Sequence, residues 1–359
     1  MKKPKVLILK NSISTYNTPT YNILARMFDL TVGYYLDNKS IIEEEYTPLR
    51  LGYRKVGPFV IIKGLRSLIK QYDVVTFVPD PHVLSYMLLP YMRRRCKVVS
   101  WSIGFRCSYT HPYIVDRKHT WVDNLIYRTC FRKADANIFY MKKALEFWSD
   151  KDIDKHKVFI APNTTDVLNV DVAAGMKRTI LFVGTLYKKK GVDLLLHAYK
   201  QAMSRFRSSI RLVIVGAGEM REELETYVKD NGLADMVVFP GAVYEEKVLA
   251  QYFQEALVCV SPTQGGLSCP KSMGYGVPFI CKKDAITGGE IYHITPNVNG
   301  VMYDTDSDLV DILVDVFQHP GRYVDMGLKA RDYYYHHATC AHMAEGAAKA
   351  IRFVLGDKS

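Results

Sequence analysis

The sequence predicts an α/β protein built from two Rossmann-like β/α/β domains that face each other across a cleft. Short runs rich in β-branched and aromatic residues alternate with longer segments of helical spacing, which is the pattern of parallel sheets covered by helices. The chain has 359 residues, enough for two domains. A polar stretch without strand pattern, 166–178, separates one series of strands from the next. We therefore expect an N-terminal domain over 1–165, a C-terminal domain over 166–335, and a final helical segment, 336–359, that packs back on the N-terminal domain.

The individual elements follow from local patterns. Apolar residues recur at i, i+3, i+4 and i+7 from Val192, which predicts a helix over 192–206. A second helix is predicted from Arg221, since Glu222 and Glu223 lie in its first turn, where the helix dipole favours acids. Ligands of such sheets bind at the carboxyl ends of the strands. The predicted strands cover 5–9, 30–35, 73–78, 97–101, 137–140, 158–161, 179–183, 210–215, 236–239, 256–260 and 278–281.

The charge of the chain is distributed unevenly. The formal net charge is +11, and residues 1–163 hold 27 Lys and Arg against 14 Asp and Glu, whereas residues 164–359 hold 21 against 23. The first part is therefore basic, which indicates a nucleic acid, an anionic lipid surface or a phosphorylated substrate as partner. Because no nucleic-acid-binding module accompanies these residues, a lipid surface or a plain solvated face is favoured.

Two features indicate the compartment. No apolar run is long enough for a secretory signal or a membrane span, so we expect a cytoplasmic chain that at most lies against a membrane. The chain has 7 cysteines and no C-x-x-C pair, which favours buried free thiols over metal ligands or disulfides.

Glycine-containing loops follow several strands of the second domain. In 184–191 a glycine turn leads through three lysines into a helix, which fits either a phosphate site or a solvated basic turn. Gly216 and Gly218 form a G-x-G that lacks the third glycine of a dinucleotide fingerprint, so a tight turn is favoured over a cofactor contact. A third loop contains Gly265-Gly266 and precedes Lys271, and a fourth covers 287–290.

In this order, the loops resemble the retaining, nucleotide-sugar-dependent glycosyltransferases of GT-B fold known as family 4. The family pattern V-G-R-L-x-x-x-K-G corresponds to Val183-Gly184-Thr185-Leu186 with Lys190-Gly191. It continues with the G-x-G, with F-x-G-x-V at 239–243, and with an S-P loop at Ser261-Pro262. The E-G-F-G-L-x-x-L-E-A-M-A-x-G-x-P-V and G-G-x-x-E patterns are matched from Gly266-Leu267 through Met273, Gly276 and Pro278 to Glu290, and Asn299-Gly300 completes the match. The N-terminal domain carries a looser resemblance at 134–138 and 161–164.

The resemblance implies an acceptor-binding N-terminal domain and a donor-binding C-terminal domain. The family Lys that holds the donor diphosphate corresponds to Lys190, while Thr185 stands at the position of the family Arg, so Lys188 or Lys189 is expected to compensate for the missing charge. The candidate catalytic residues are Lys190, Thr185, Arg106 and His82. The candidate donor-binding residues are Gly184, Lys190, Gly216, Gly241, Val243, Thr263, Gly266, Leu267, Lys271 and Glu290.

The sequence departs from the family at both acidic positions. Lys271 stands where the family has its ribose-binding Glu, and Thr263 stands eight positions before it, in a loop about three residues shorter than usual. Donor contacts here are therefore expected from the backbone N–H groups of Gly266 and Leu267 and from Lys271. The family H-G pair is also absent from the first domain. Arg106 lies in its place, with His82 and His111 as further candidates.

The sequence thus predicts a retaining hexosyltransferase that uses a UDP- or GDP-sugar and a lipid-linked or surface-polysaccharide acceptor. No cofactor or metal is expected, and the acidic segment 304–308 is interpreted as a helix cap. A non-catalytic nucleotide- or glycan-binding descendant remains an alternative because both acids are missing. A nucleotide-sugar epimerase of the same fold is disfavoured by the order of the loops. The basic stretch 60–143 is expected to bind an anionic membrane, which places the protein on the inner face of the cell membrane.

Overall fold

The computed structural model describes residues 2–36, 43–105, 121–170 and 177–356. At 121–123 it describes the backbone alone. Within these residues the chain divides into two compact units. The first unit contains the residues up to Thr165 and those from Thr339 onward, and the second contains the residues between them. The fold is therefore described one unit at a time.

The first unit is a parallel sheet with helices and one antiparallel hairpin. The sheet has the strand order β3-β2-β1-β6-β7-β8-β9, and β4 pairs with β5 in the hairpin. Its strands are β1 (Lys5–Leu9), β2 (Asp29–Tyr34), β3 (Thr47–Arg50), β4 (Tyr53–Val56), β5 (Phe59–Ile62), β6 (Val74–Phe77), β7 (Lys97–Ser102), β8 (Ala136–Phe139) and β9 (Val158–Ile160). Its first helices are α1 (Thr18–Met27), α2 (Leu65–Leu68), α3 (Leu84–Leu88), α4 (Trp121–Lys133) and α5 (Ala144–Phe147).

The second unit is a parallel sheet in the order β12-β11-β10-β13-β14-β15. Its strands are β10 (Thr179–Val183), β11 (Arg211–Val215), β12 (Val237–Gly241), β13 (Ala256–Val260), β14 (Phe279–Lys282) and β15 (Gly300–Tyr303). Its helices are α6 (Val192–Arg205), α7 (Arg221–Asp230), α8 (Glu246–Glu255), α9 (Ser268–Gly274), α10 (Asp306–Gln318) and α11 (Pro320–His337).

The central strands are buried on both faces. Residues 6–9 of β1 have no exposed surface, and alternate residues belong to different apolar clusters on the two faces of the sheet. The second sheet is covered in the same way. Parallel sheets need helices on both faces because neither face can meet water, and this explains the uninterrupted apolar runs of the sequence. The predicted fold class, α/β with two Rossmann-like domains, is confirmed.

The last helix, α12 (Cys340–Leu355), returns to the first unit. It packs against α1 and the sheet, and its alanines join the apolar cluster there. Gly346 makes this approach possible, because a Cβ at that position would lie 2.1 Å from the carbonyl oxygen of Ile160. The preceding helix α11 extends to His337 within the second unit.

Each predicted strand is present within two residues of its expected bounds, and the helices predicted from Val192 and Arg221 are α6 and α7. The cap predicted at 304–308 is also confirmed. The Thr305 side chain accepts from the Asp308 N–H while the Asp308 carboxylate accepts from the Thr305 N–H. The sequence did not predict β3, β15 or the β4–β5 hairpin. Each of these strands has only four residues, and β3 and β4 are also mostly exposed.

Candidate functional site

The loops with the recognised glycines lie at one edge of the second sheet. Strand β10 pairs with β11 on one side and with β13 on the other, and all of these strands run parallel. The loops that follow β10, β11 and β13 therefore meet at the carboxyl edge, where α/β proteins bind their ligands. We call the loops after β10, β11, β13 and β14 the first, second, third and fourth loops.

The first two loops are joined through their backbones. The Leu186 N–H donates to the Ala217 carbonyl at 2.9 Å, and the Met220 N–H donates to the Leu186 carbonyl at 3.0 Å. A Cβ on Gly216 would lie 1.9 Å from the Gly184 oxygen, and one on Gly218 would lie 2.3 Å from the Leu186 oxygen. The two glycines are therefore required for this close approach, as the tight-turn interpretation predicts.

The next strand contributes Gly241 to the same edge. Its carbonyl accepts from the Gly216 N–H at 2.8 Å, and its φ of +91° is a conformation that L side chains rarely adopt. Val243, two residues on, is half-buried and packs against the apolar cluster on one face of the sheet. Gly241 and Val243 therefore support the second loop and the sheet rather than projecting a polar side chain from the edge.

Lys190 brings a positive charge to the first loop. Its side chain is half-buried, and its Nζ lies 3.7 Å from where a Cβ of Gly184 would be. Burial lowers the pKa of the Lys190 ammonium, while the Glu290 carboxylate and the Cys259 thiol act in the opposite direction. Within the described ranges the ammonium makes no hydrogen bond and no ion pair. It is therefore available to an incoming anion, whereas Thr185 beside it is exposed and uncharged.

The third loop is tied to the first by two side chains. The Thr263 hydroxyl donates to the Lys189 carbonyl at 2.7 Å, and the Tyr187 hydroxyl donates to the Gln264 side-chain oxygen. Gly191 has a φ of +66° and would bring a Cβ within 2.9 Å of the Thr263 hydroxyl. The Thr263 hydroxyl thus joins the third loop to the backbone of the first loop by a hydrogen bond.

The fourth loop surrounds a buried carboxylate. Glu290 is 2% exposed, and it accepts from the Thr287 hydroxyl at 2.8 Å and from the Gly288 N–H at 2.7 Å. These bonds order the turn. Because the carboxylate also raises the pKa of Lys190, it lies close enough to stabilise the ammonium electrostatically.

The start of α9 is more open than the loops around it. Gly266 and Leu267 are half-buried, and no described atom lies within 4 Å of where a Cβ of Gly266 would stand. A ligand atom could therefore approach the backbone closely at this point.

Lys271 has a partner that the sequence did not predict. Its Nζ lies 2.7 and 2.6 Å from the two carboxylate oxygens of Glu246, and the Tyr275 hydroxyl donates to Glu246 at 2.6 Å. Burial raises the pKa of nearby Asp166, an effect that the Lys271 charge opposes. In the sequence, Glu246 is recognisable only as an acid in the first turn of a helix that begins soon after Val243. That position does not indicate that Glu246 pairs with Lys271.

The comparisons with known proteins agree with this arrangement. Residues 177–319, which include all four loops, match the family described as Glycosyl transferases group 1. These residues are a group 1 glycosyltransferase domain. The chain is 25% identical to an uncharacterised glycosyltransferase of Haemophilus influenzae over 76% of its own length and 75% of that protein.

Two further likenesses concern the chain and its fold. It is 26% identical to the GDP-mannose-dependent α-(1-6)-phosphatidylinositol monomannoside mannosyltransferase of Mycolicibacterium smegmatis, over 56% of this chain and 54% of that one. It also resembles the structure of Anabaena HepE in complex with UDP, with a TM-score of 0.71 and 13% identity over 98% of this chain and 100% of that chain. The chain therefore has the GT-B fold that the sequence predicts.

The remaining predicted site residues of the chain lie elsewhere. His82 belongs to the first unit, its side chain is 68% exposed, and its Nδ1 is 3.3 Å from Asp80. Arg106 and His111 lie outside the described residues. The cysteines that the structure describes are buried and free, as predicted, and burial raises the pKa of Cys130 to about 12.

The described residues contain neither a metal-ligand cluster nor a membrane-spanning helix. No group of three or more His, Cys, Asp or Glu side chains in this part of the chain could hold a metal ion. Among the same residues, no helix has the length and apolar character needed to cross a membrane.

Proposed function

We propose that this glycosyltransferase transfers a hexose from a UDP- or GDP-sugar, with retention, to a lipid-linked or surface-polysaccharide acceptor. The observation that carries the proposal is the half-buried Lys190 ammonium at the carboxyl edge of the second sheet, unpaired in the described part of the chain. Cleavage of the anomeric bond leaves a nucleoside diphosphate, and a fixed positive charge stabilises the negative charge that develops on it.

The surrounding loops fit a diphosphate in the same place. Gly184 leaves room beside the Lys190 Nζ, and Thr185 can donate a hydrogen bond to a phosphate oxygen. The opening at Gly266 and Leu267 would admit a second anionic oxygen to backbone N–H groups. HepE binds UDP and the mycobacterial relative uses GDP-mannose, which supports a uridine or guanosine nucleotide. We propose no metal ion and no other cofactor for the reaction.

Nucleotide binding and turnover test the proposal together. Thermal-shift measurements with UDP, GDP, CDP and ADP should select UDP or GDP, and the matching nucleotide sugar should release nucleoside diphosphate slowly in water. We expect Lys190→Ala to lower kcat/KM by about 100-fold, the effect typical of one lost transition-state donor. Lys329→Ala, an exposed lysine on α11, is the control and should turn over normally.

The outcomes separate the candidate functions. Turnover unchanged in Lys190→Ala would contradict the proposed donor site. Nucleotide binding without release under any acceptor would favour a non-catalytic binding protein, and epimerisation without release would favour an epimerase. Turnover that EDTA abolishes and a divalent cation restores would contradict the metal-independent reaction.

We further propose that the first unit associates with the cytoplasmic face of an anionic membrane. Residues 51–72 contain no Asp or Glu. Val56 and Phe59, which pair across the tip of the β4–β5 hairpin, are 51% and 38% exposed, and Leu88 of the adjoining α3 is 53% exposed. Apolar side chains beside lysines and arginines favour an interface with anionic lipid. The basic residues of this surface are Arg54, Lys55, Lys63, Arg66 and Lys70.

A further inference from the structure

The first unit contains a buried lysine that the proposed donor site does not use. Lys10 directly follows β1, is 8% exposed, and places its Nζ 5.1 Å from the centre of the Trp101 ring. No carboxylate, carbonyl or hydroxyl of the described residues pairs with this ammonium. The ring provides a weak electrostatic contact, which does not replace a hydrogen bond or a counter-ion.

A half-buried lysine, Lys177, shows what Lys10 lacks. Burial lowers the pKa of both Lys10 and Lys177 to about 8. The Lys177 Nζ, however, donates to the Ala256 carbonyl at 3.1 Å, whereas Lys10 has no such acceptor among the described residues. Buried charges are normally paired because desolvation is costly, so an unpaired one indicates that a ligand completes it.

Two more unsatisfied groups lie on the same face of the sheet. Within the described residues, neither the Thr76 hydroxyl nor the Trp101 Nε1–H has a hydrogen-bond partner, and both residues are 1% exposed. Thr76 is in register with Ile8 on β1 and with Val99 on β7. Lys10 and Trp101 come two residues after these partners, and alternate residues of a strand point to the same face. The ammonium, hydroxyl and indole groups therefore share one face across three adjacent strands.

The position in the sheet is the one where ligands of this fold class bind. Strand β1 pairs with β2 on one side and with β6 on the other, and chain order reverses direction between these neighbours. Ligands of open α/β sheets bind outside the carboxyl ends of the strands at such a switch point. Lys10 is the residue that leaves β1 at this point.

We propose that the first unit binds an oxyanion, a phosphate or a carboxylate, at the Lys10 ammonium, with Thr76 and Trp101 as further donors. An oxyanion supplies only acceptors and a negative charge, which are what these three groups lack. The site is separate from Lys190, which belongs to the second unit. The assignment of this anion to the sugar acceptor rests on the proposed function. The binding of an anion at Lys10 does not depend on that function.

Titration calorimetry with inorganic phosphate, diphosphate and acetate, at constant ionic strength against sodium chloride, tests the proposal. The full chain should bind one of the three probes saturably. Lys10→Met should bind that probe at least 10-fold more weakly, whereas Lys177→Met, the control at a half-buried lysine, should bind it unchanged. We expect Lys10→Met to fold, because the methionine side chain is of similar length to lysine. The substitution removes a buried charge and leaves no partner unsatisfied. Trp101→Phe keeps an aromatic ring but removes the indole N–H, and should weaken binding severalfold.

The outcomes assign the ligand or reject the site. Preference for phosphate or diphosphate assigns a phosphorylated ligand, and preference for acetate assigns a carboxylate, with either supporting the proposal. Binding equal in the unmodified chain and Lys10→Met, or no saturable binding beyond that of chloride, would overturn it. UDP or GDP binding is measured on the same variants, so that failure of the donor site in the second unit is seen separately.

Discussion

At the scale of single residues, the ion pair between Lys271 and Glu246 shows how the third loop region is stabilised. The lysine side chain is 15% exposed and the carboxylate 36%, so the pair is partly desolvated. Tyr275, which directly follows α9, donates its hydroxyl to the same carboxylate, and its oxygen accepts from the Leu168 N–H at 3.2 Å. Two of the three ammonium hydrogens are used by Glu246, which leaves one for a ligand.

We predict that Lys271→Met lowers the free energy of unfolding by about 1–2 kcal/mol, because the Glu246 charge loses its strongest partner. The double variant Lys271→Glu/Glu246→Lys should recover most of this loss in thermal unfolding, since it restores the pair. The affinity of this double variant for UDP or GDP should stay below that of the unmodified chain, because its ammonium then projects from α8. Recovery of nucleotide affinity together with stability would contradict a direct contact between Lys271 and the donor.

At the scale of elements, the return of α12 depends on backbone approach. Most of its buried positions are alanine or glycine, which allows the helix to lie close to α1 and the sheet. Gly346 has the shortest clearance on this helix, against the end of β9. The helix therefore covers a sheet face that would otherwise expose the apolar residues of β7 and β8.

We predict that Gly346→Ala destabilises the first unit by about 1–3 kcal/mol, the usual cost of overpacking, because the added methyl cannot fit beside the Ile160 oxygen. The matched control is Gly321→Ala near the start of α11, where no described atom lies within 4 Å of the added Cβ. That change should be neutral or stabilise by about 0.5 kcal/mol. Chemical denaturation followed by circular dichroism measures both, and equal effects of the two changes would contradict the close packing.

At the scale of the whole molecule, the excess positive charge is concentrated before residue 164. The proposed donor loops all belong to the near-neutral second part. The proposed binding of the donor therefore depends on single lysines such as Lys190 and not on the net charge of the second part. The basic surface around the β4–β5 hairpin supports the proposed attachment to an anionic bilayer, and Lys10 supports a single buried anion site in the first unit.

We predict salt-sensitive binding of the protein to vesicles that contain phosphatidylglycerol, and none to vesicles of phosphatidylcholine alone. Val56→Asp/Phe59→Asp should abolish co-sedimentation, because it places charge where apolar side chains enter the interface. Arg54→Ala, at a position on the same face of the hairpin as Val56, should weaken it about fivefold, since each basic residue near such a surface contributes about 1 kcal/mol. Tyr244→Asp, at a position 86% exposed in the second unit, is the control and should bind as before. Binding insensitive to both salt and the hairpin substitutions would contradict this surface.

The sequence by itself determined the parallel sheets, the helices that follow their strands, and the order of glycine loops that identifies the domain. These features are local, because strand and helix periods repeat over a few residues and because Gly184, Gly216 and Gly266 each lie in a short loop after their own strand. Only the tertiary structure decided which side chains meet. Glu246 neutralises Lys271 from another helix, and Lys10 remains unpaired among the described residues because the sheet order brings apolar and aromatic neighbours to it. Such contacts depend on strand order and packing, which no short stretch of sequence contains.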